Sequence, residues 1–226
     1  MTAVTLTGID ERTDLTRLPD SGGDYLLEYA ILISRSKNGQ EPRYPSYTTV
    51  QTMIKKLQDE HILAAHFCGA PAREILQGIV PQELHWLKGM VDRIQINANE
   101  KDTLAGWQKA ADILNLVGIT PIFQWRRDIW PAFMDGRADV LLDRSGGRGI
   151  AEQIWPVRGN YKGKIGYAGG LGPDNLPISD IAKAAGNSSK YWIDMESSLR
   201  THDWFDIEKA AKVLMALDDV WEYNYN

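Results

Sequence analysis

The stretch VLLDRSGGRG, residues 140–149, ends an aliphatic run on Asp143 and continues into glycines that carry Arg144 and Arg148. An acid at the end of an apolar run sits where a core meets solvent, a suitable place for a general acid. Other apolar runs end similarly, with polar residues two positions apart: His66 and Cys68, Gln95 and Asn97, Gln124 and Arg126, Asp194 and Glu196. In a strand each such pair shares one face. Together with Asp10 and Asp143 they form a set suited to proton transfer on a small anionic ligand, with Arg126 and Arg148 as counter-charges. Metal assistance through His66, Asp194 and Glu196 has no helical His-x-x-x-His or comparable spacing behind it, so no metal is expected.

The elements that must position this set alternate along the chain. Eight short runs rich in strand-forming residues occur at 4–10, 26–34, 62–68, 93–97, 120–126, 138–143, 164–169 and 190–196. Between them lie segments such as YTTVQTMIKKLQDE, TLAGWQKAADILNLVG and DIEKAAKVLMALDDVW, whose apolar residues return every three or four positions. Gly118 and Gly186 stand where left-handed caps would end two of the helices. Repeated strand–helix units in this number predict one parallel (β/α)8 barrel, a TIM barrel, spanning residues 1–226, with a helix after each strand and the first and sixth connections least helical. An open doubly wound sheet would place a glycine loop after its first strand. Here the glycines follow the sixth and seventh. In a barrel the carboxyl ends of the strands carry the chemistry, so the polar pairs converge on one rim.

The chain's 226 residues carry 43% hydrophobic and 24% charged residues, enough for one substantial core, and a formal net charge of -5. That acidity gives no general field for nucleic acid or anionic lipid, and no run approaches the roughly 18 apolar residues of a membrane span. Cys68 is the only cysteine, which excludes an internal disulfide. With no basic apolar leader at its start, the chain is expected to be cytoplasmic, a monomer or homodimer. SGGRG lacks the Gly-Lys-Ser/Thr of a phosphate loop, and GYAGGLGPDN lacks the spacing of a dinucleotide fingerprint, so no ATP, NAD or other cofactor is expected. GGLGPDN lets backbone N–H groups approach an anion, and Pro173 suits the first turn of a following helix.

Several segments resemble, in order, those of the phosphoribosylanthranilate isomerase family, barrel enzymes that perform an Amadori rearrangement. EPRYPS resembles a Ser-Pro-Arg-Tyr segment after strand two, RIQIN a Val-Gln-Leu-His strand four, and LLDRSGGRG the acid and glycine loop of strand six. YAGGLGPDNL resembles Ala-Gly-Gly-Leu-x-Pro-Glu-Asn-Val, WIDMESS resembles Val-Asp-Val-Ser-Ser-Gly, and FDIEKAAKVL the last helix. The resemblance implies Asp143 as general acid, Arg43 on a substrate carboxylate, and phosphate held by Gly169, Gly170, Leu171, Ser197 and Ser198. Gln95, Arg126, Arg148 and Asp194 are further candidates for substrate contact.

Two positions depart from the family. Thr7 stands where the family has a catalytic cysteine, and an unactivated hydroxyl is too weak an acid to become the base near neutral pH. Asp10, Glu196 or Cys68 could supply that base. Ser198 replaces a glycine of the strand-eight phosphate loop, restricting backbone approach while adding a hydroxyl donor. Trp125, Trp130 and Trp155 fall near the connections, where they could stack on a planar ring. Three functions therefore compete: an isomerase-like enzyme acting on a phosphorylated ribose derivative, a non-catalytic binder of a phosphosugar or nucleotide, and a ribosyl-bond hydrolase using paired carboxylates.

Overall fold

In the computed structural model the described residues are 1–20, 23–97, 104–126, 136–145, 148–152, 154–186, 188 and 190–225, with side chains described to residue 218. Eight strands form a closed, all-parallel barrel in sequence order: β1 Ala3–Thr7, β2 Leu26–Ile33, β3 Ile62–Phe67, β4 Arg93–Ile96, β5 Thr120–Trp125, β6 Asp139–Leu142, β7 Ile165–Tyr167 and β8 Tyr191–Met195. Strand β8 closes on β1, with Leu6 opposite Met195. Seven strands lie within the runs expected from the sequence, β1 begins one residue before its run at 4–10, and the fold is a TIM barrel. Closure leaves no unpaired sheet edge.

The connections are less regular than the strands. Helices α1 Tyr47–Leu57, α2 Ala70–Gln77, α3 Leu84–Leu87, α4 Leu104–Leu116, α5 Ile178–Ala184 and α6 Ile207–Tyr225 follow β2, β3, β4, β7 and β8, with α2 and α3 both after β3. A helix after every strand is thus not what forms. Among the described residues the β1–β2 link carries only a 3-10 turn, Leu15–Arg17, and the β6–β7 link no α-helix. The β5–β6 link contains 127–135, outside the described residues, as is Trp130 within it. Gly118 (φ 80°) and Gly186 (φ 71°) take the left-handed conformation expected of helix ends.

Packing follows the two periodicities. Outward-facing Val4, Leu6, Ile31, Ile33, Phe67, Ile94 and Ile193 bury against helix stripes such as Val50, Met53, Ile54 and Leu57 on α1. The inside of the barrel is largely polar: Thr5, Thr7, Glu28, His66, Arg93, Gln95, Gln124, Asp139, Asp143 and Asp194 are all buried. Near the amino ends of the strands Arg93 Nε and Nη2 donate to Glu28 Oε2 and Oε1 at 2.6 and 2.7 Å, and Thr5 Oγ1 donates to Glu28 Oε1 at 2.9 Å. Burial alone would raise the Glu28 carboxyl, but Arg93 and the Thr5 hydroxyl bring it below the usual range. Breaking so buried a pair leaves an uncompensated charge, costing about 3–5 kcal/mol.

Beside this pair lies Trp192, fully buried, with the Arg93 guanidinium 4.6 Å from its ring centroid. Together with Ile122, Leu141 and Ala168 it forms a small apolar cluster apart from the main core. Opposite it stands Gly166, where an added Cβ would overlap the indole and lie 2.6 Å from Leu141 Cδ1. Gly166→Ala is therefore expected to destabilise by about 1–3 kcal/mol, seen as a thermal midpoint lower by about 2–10 °C. An unchanged midpoint in scanning calorimetry would show that the indole does not fill this space.

Candidate active site

At the carboxyl ends of the strands the inward residues surround one cavity of about 70 Å³. Thr7 enters from β1, His66 from β3, Gln95 and Asn97 from β4 and its exit, Gln124 from β5, Asp143 from the end of β6, and Asp194 and Glu196 from β8. The remaining wall comes from the loops after β6, β7 and β8: Ser145, Gly149, Gly169, Gly170, Leu171, Ser197 and Ser198. Four expected residues lie elsewhere. Asp10, Arg43, Arg126 and Arg148 do not line this cavity.

Asp143 begins the loop after β6, its backbone N–H bonded to the Trp125 carbonyl at 3.0 Å. Gln124 Nε2 donates to Oδ2 at 2.8 Å and Ser145 Oγ to Oδ1 at 2.7 Å, which fixes the plane of the carboxyl. Gln124 was marked in the sequence only as half of a polar pair, and Ser145 not at all. Its signal was its place two residues beyond an acid, where a hydroxyl reaches back.

On the far side of the cavity Thr7 Oγ1 donates to Asp194 Oδ1 at 2.7 Å, closing β1 onto β8. Among the described residues Asp194 Oδ2 has no hydrogen-bond donor. Burial lifts the Asp194 carboxyl to about 8; the Thr7 hydroxyl opposes the rise, while Glu196 and Glu28 add to it. Burial pushes His66 the other way, down to about 4. Among the described residues its Nε2 and the Oε1 of Gln95 find no hydrogen-bond partner. Both residues line the cavity, so these two polar atoms can serve a bound ligand.

The residues expected as alternative bases have other occupations. Asp10 Oδ2 accepts from Arg200 Nη1 at 3.1 Å and from Phe205 N at 2.6 Å, and its Oδ1 from Arg12 N at 3.1 Å. It anchors the hairpin β9 Arg200–Thr201 and β10 Trp204–Phe205. Cys68 lies beyond the cavity wall; burial pushes its thiol up to about 11, against hydrogen bonds from Tyr44 and Asn97. Glu196 lines the cavity but pairs with Arg43 Nη1 at 2.9 Å, while Arg43 Nε donates to Asp203 at 3.0 Å. Arg43 thus meets carboxylates of the protein where the resemblance places a carboxylate of the substrate. Arg126 Nη2 donates to Gln124 Oε1 at 2.8 Å, and the exposed Arg148 turns back to the Ser145 carbonyl at 2.8 Å.

The glycine loops depart from expectation in one respect. Pro173 does not begin a helix: Gly172 and Asn175 pair with each other through both backbone hydrogen bonds, and α5 starts only at Ile178. Any anion site here rests on loop N–H groups, with no helix terminus behind it. The two loops are joined, because Ser198 Oγ donates to the Leu171 carbonyl. Gly170 (φ 63°) is closely covered, since a Cβ there would lie 2.5 Å from Ala151 N. Residues 150 and 151 therefore lie over this loop. Gly146 and Gly147 lie outside the described residues. Trp155 is a core residue, edge-on to Tyr167 at 5.9 Å between ring centroids, and Trp125 packs half-buried against the same core. Among the described residues no group of three or more His, Cys, Asp and Glu could hold a metal ion, and no helix is long and apolar enough to cross a membrane.

Fold and site together define a TIM barrel with an acid-lined cavity at its carboxyl rim. Among solved structures it is similar to phosphoribosylanthranilate isomerase from Thermotoga maritima, with a TM-score of 0.65 at 16% identity over 97% of this chain and 100% of that one. A phosphoribosylanthranilate isomerase in complex with reduced 1-(o-carboxyphenylamino)-1-deoxyribulose 5-phosphate gives a TM-score of 0.59 at 15% identity, over 97% and 100% of the two chains. For 3-hexulose-6-phosphate synthase from Salmonella typhimurium the values are 0.53 and 12%, over 96% and 98%. No family model and no curated protein matches the sequence.

The Asp194 carboxyl links the site to stability. Its folded value of about 8 lies well above the ordinary value near 4. Between these limits the folded chain holds a proton that the unfolded chain has lost, so this group's contribution is full below about pH 4 and declines as pH rises toward 8. Asparagine carries no such cost. Asp194→Asn is expected to gain stability relative to wild type progressively from about pH 4 to 8, measured by urea denaturation at several pH values. A constant difference across that range would contradict the assignment.

Proposed function

We propose that this chain is an acid–base isomerase acting on a phosphorylated ribose derivative, by ring opening and Amadori-type proton transfer. The observation that carries the reading is the shared cavity: Asp143 and the Thr7–Asp194 pair lie across it, beside the backbone loops Gly169–Leu171 and Ser197–Ser198. The likeness to phosphoribosylanthranilate isomerases over nearly the whole chain supports the architecture. Loop N–H groups in such concave turns favour anions without a lysine or arginine side chain, as a phosphate-first mode of binding requires.

In this reading Asp143, oriented by Gln124 and Ser145, gives a proton to the ring oxygen as the C1–O bond breaks. The lone pair of the glycosidic nitrogen forms the iminium. A base then takes the C2 proton, whose electron pair becomes the C1=C2 bond as the iminium π electrons return to nitrogen. Only protons move, so the reaction needs neither metal nor cofactor. The half of the substrate beyond the ribose differs from anthranilate in its demands, because a carboxylate at Arg43 would compete with Glu196 and Asp203. The chain is proposed to work as one domain in the cytoplasm, as a monomer or homodimer.

With phosphoribosylanthranilate as probe, wild type should open the ring, and Asp143→Asn should lose about 10²- to 10⁴-fold in kcat. Calorimetry with ribose 5-phosphate supplies the second readout. Turnover equal in wild type and Asp143→Asn would remove the acid assignment. Failure of wild type to turn over the probe would remove the isomerase reading, and failure also to bind ribose 5-phosphate would remove the phosphoribose pocket with it.

A further inference from the structure

We infer that Asp194, held by Thr7, is the group that takes the C2 proton; this rests on the isomerase reading above and names its missing base. The inference begins from position. Thr7 occupies the place on β1 where the resembling family has its catalytic cysteine, and its hydroxyl points its hydrogen bond at Asp194 Oδ1, 2.7 Å away on the neighbouring strand β8. The function lost from β1 is thereby passed one strand round the barrel. Oδ2 of Asp194, with no donor among the described residues, is the oxygen left to accept a proton, and Asp194 lines the same cavity as Asp143.

The competing groups do not offer this arrangement. Both Asp10 oxygens are engaged, and Asp10 is outside the cavity. Cys68 is also outside it and is held as a thiol. Glu196 is drawn to Arg43. His66 shares the cavity, but an imidazole whose protonated form is suppressed to about 4 is a far weaker base than a buried carboxylate. The charged groups around Asp194 are Glu196 on its own strand, Glu28 on β2 and Arg93 on β4. Asp143, at the exit of β6, lines the same cavity. Because burial raises Asp194, its ionised form is a stronger base than an exposed aspartate and is populated from neutral to mildly alkaline pH.

The protons balance. Asp194 carboxylate takes the C2 hydrogen as a proton and the enolamine forms. Asp194 returns that proton to C1 while the C2 hydroxyl loses its own to solvent and becomes the ketone. Asp143, having given its proton to the ring oxygen, regains one from solvent.

The test is the pH profile of phosphoribosylanthranilate turnover in wild type, Asp194→Asn, Asp194→Glu and Thr7→Val, each checked for folding by circular dichroism. Wild-type kcat/KM is expected to rise with pH through an apparent pKa near 8. Asp194→Asn should lose about 100-fold or more in kcat and lose that limb, with KM changed by less than about threefold, whereas Asp194→Glu should recover part of the rate. Thr7 is a positioning residue: its hydroxyl favours the ionised carboxyl, so Thr7→Val should move the limb to higher pH with a smaller loss of rate. A folded Asp194→Asn that keeps more than about a tenth of wild-type activity overturns the inference while leaving the isomerase reading standing. If Asp194→Asn does not fold, an unmoved limb in Thr7→Val overturns it instead. A wild type that binds ribose 5-phosphate but does not turn over the probe overturns the isomerase reading, and this inference with it.

Discussion

The Glu28–Arg93 pair inside the barrel is the constraint on which the rest of the site depends. Two opposite charges placed below the cavity present little net field to the layer above, because what one does to a neighbour the other largely undoes. Their effects on that layer show the cancellation. Glu28 pushes His66 up and Arg93 pushes it down, and on Asp194 the two act oppositely in the same way. With the field cancelled, desolvation decides, and it drives both residues toward their neutral forms. On Asp194 both effects are smaller than that of burial, Arg93 lowering the carboxyl and Glu28 raising it. Had Glu28 stood alone, His66 would be drawn toward protonation. The pair's opposed effects leave burial to set the protonation of Asp194 and His66.

Trp192 belongs to the same amino-end part of the barrel as this pair. Its ring lies 4.6 Å from the Arg93 guanidinium, and Gly166 is the absence of side chain that makes room for it. A barrel of this size is ordinarily filled by layers of branched aliphatic residues. Here the filling is Trp192 with its small apolar cluster, Arg93 paired with both Glu28 and Asp139, and a polar upper layer, so stability and site share residues. A carboxyl raised by burial, as at Asp194, makes the fold less stable as pH rises.

The strands were legible in the sequence because each is a short apolar run bounded by polar or glycine residues, and barrel closure needs no information beyond eight of them. The rim was legible for the same reason: period-two alternation put Gln95, Gln124, Asp143, Asp194 and Glu196 on the inner face. What the local pattern could not carry was pairing over long separations. Thr7 meets Asp194 across 187 residues and Asp10 meets Arg200 across 190, and nothing near either acid distinguishes the one that faces the cavity from the one that is caged. Spacing likewise put Pro173 at a helix start, whereas the Gly172–Asn175 turn used the same residues to close on itself.

The outer rim shows where the arginines nearest the site are engaged. The turn of the β9–β10 hairpin holds two non-glycine residues in the left-handed region, His202 (φ 51°) and Asp203 (φ 64°), a conformation that costs energy at each. Arg43 donates to the Asp203 carboxylate and Arg200 Nη1 to the Asp203 carbonyl at 2.7 Å, so two cations hold the strained turn in place. Arg43 also neutralises Glu196, and Arg200 also neutralises Asp10. In a chain with a net charge of -5 these arginines serve the protein's own acids. In the proposed reading a phosphate therefore depends for its N–H donors on the loops after β7 and β8, which the Ser198–Leu171 link joins. A backbone cradle of that kind recognises shape and charge at short range and exerts little pull on larger polyanions at a distance.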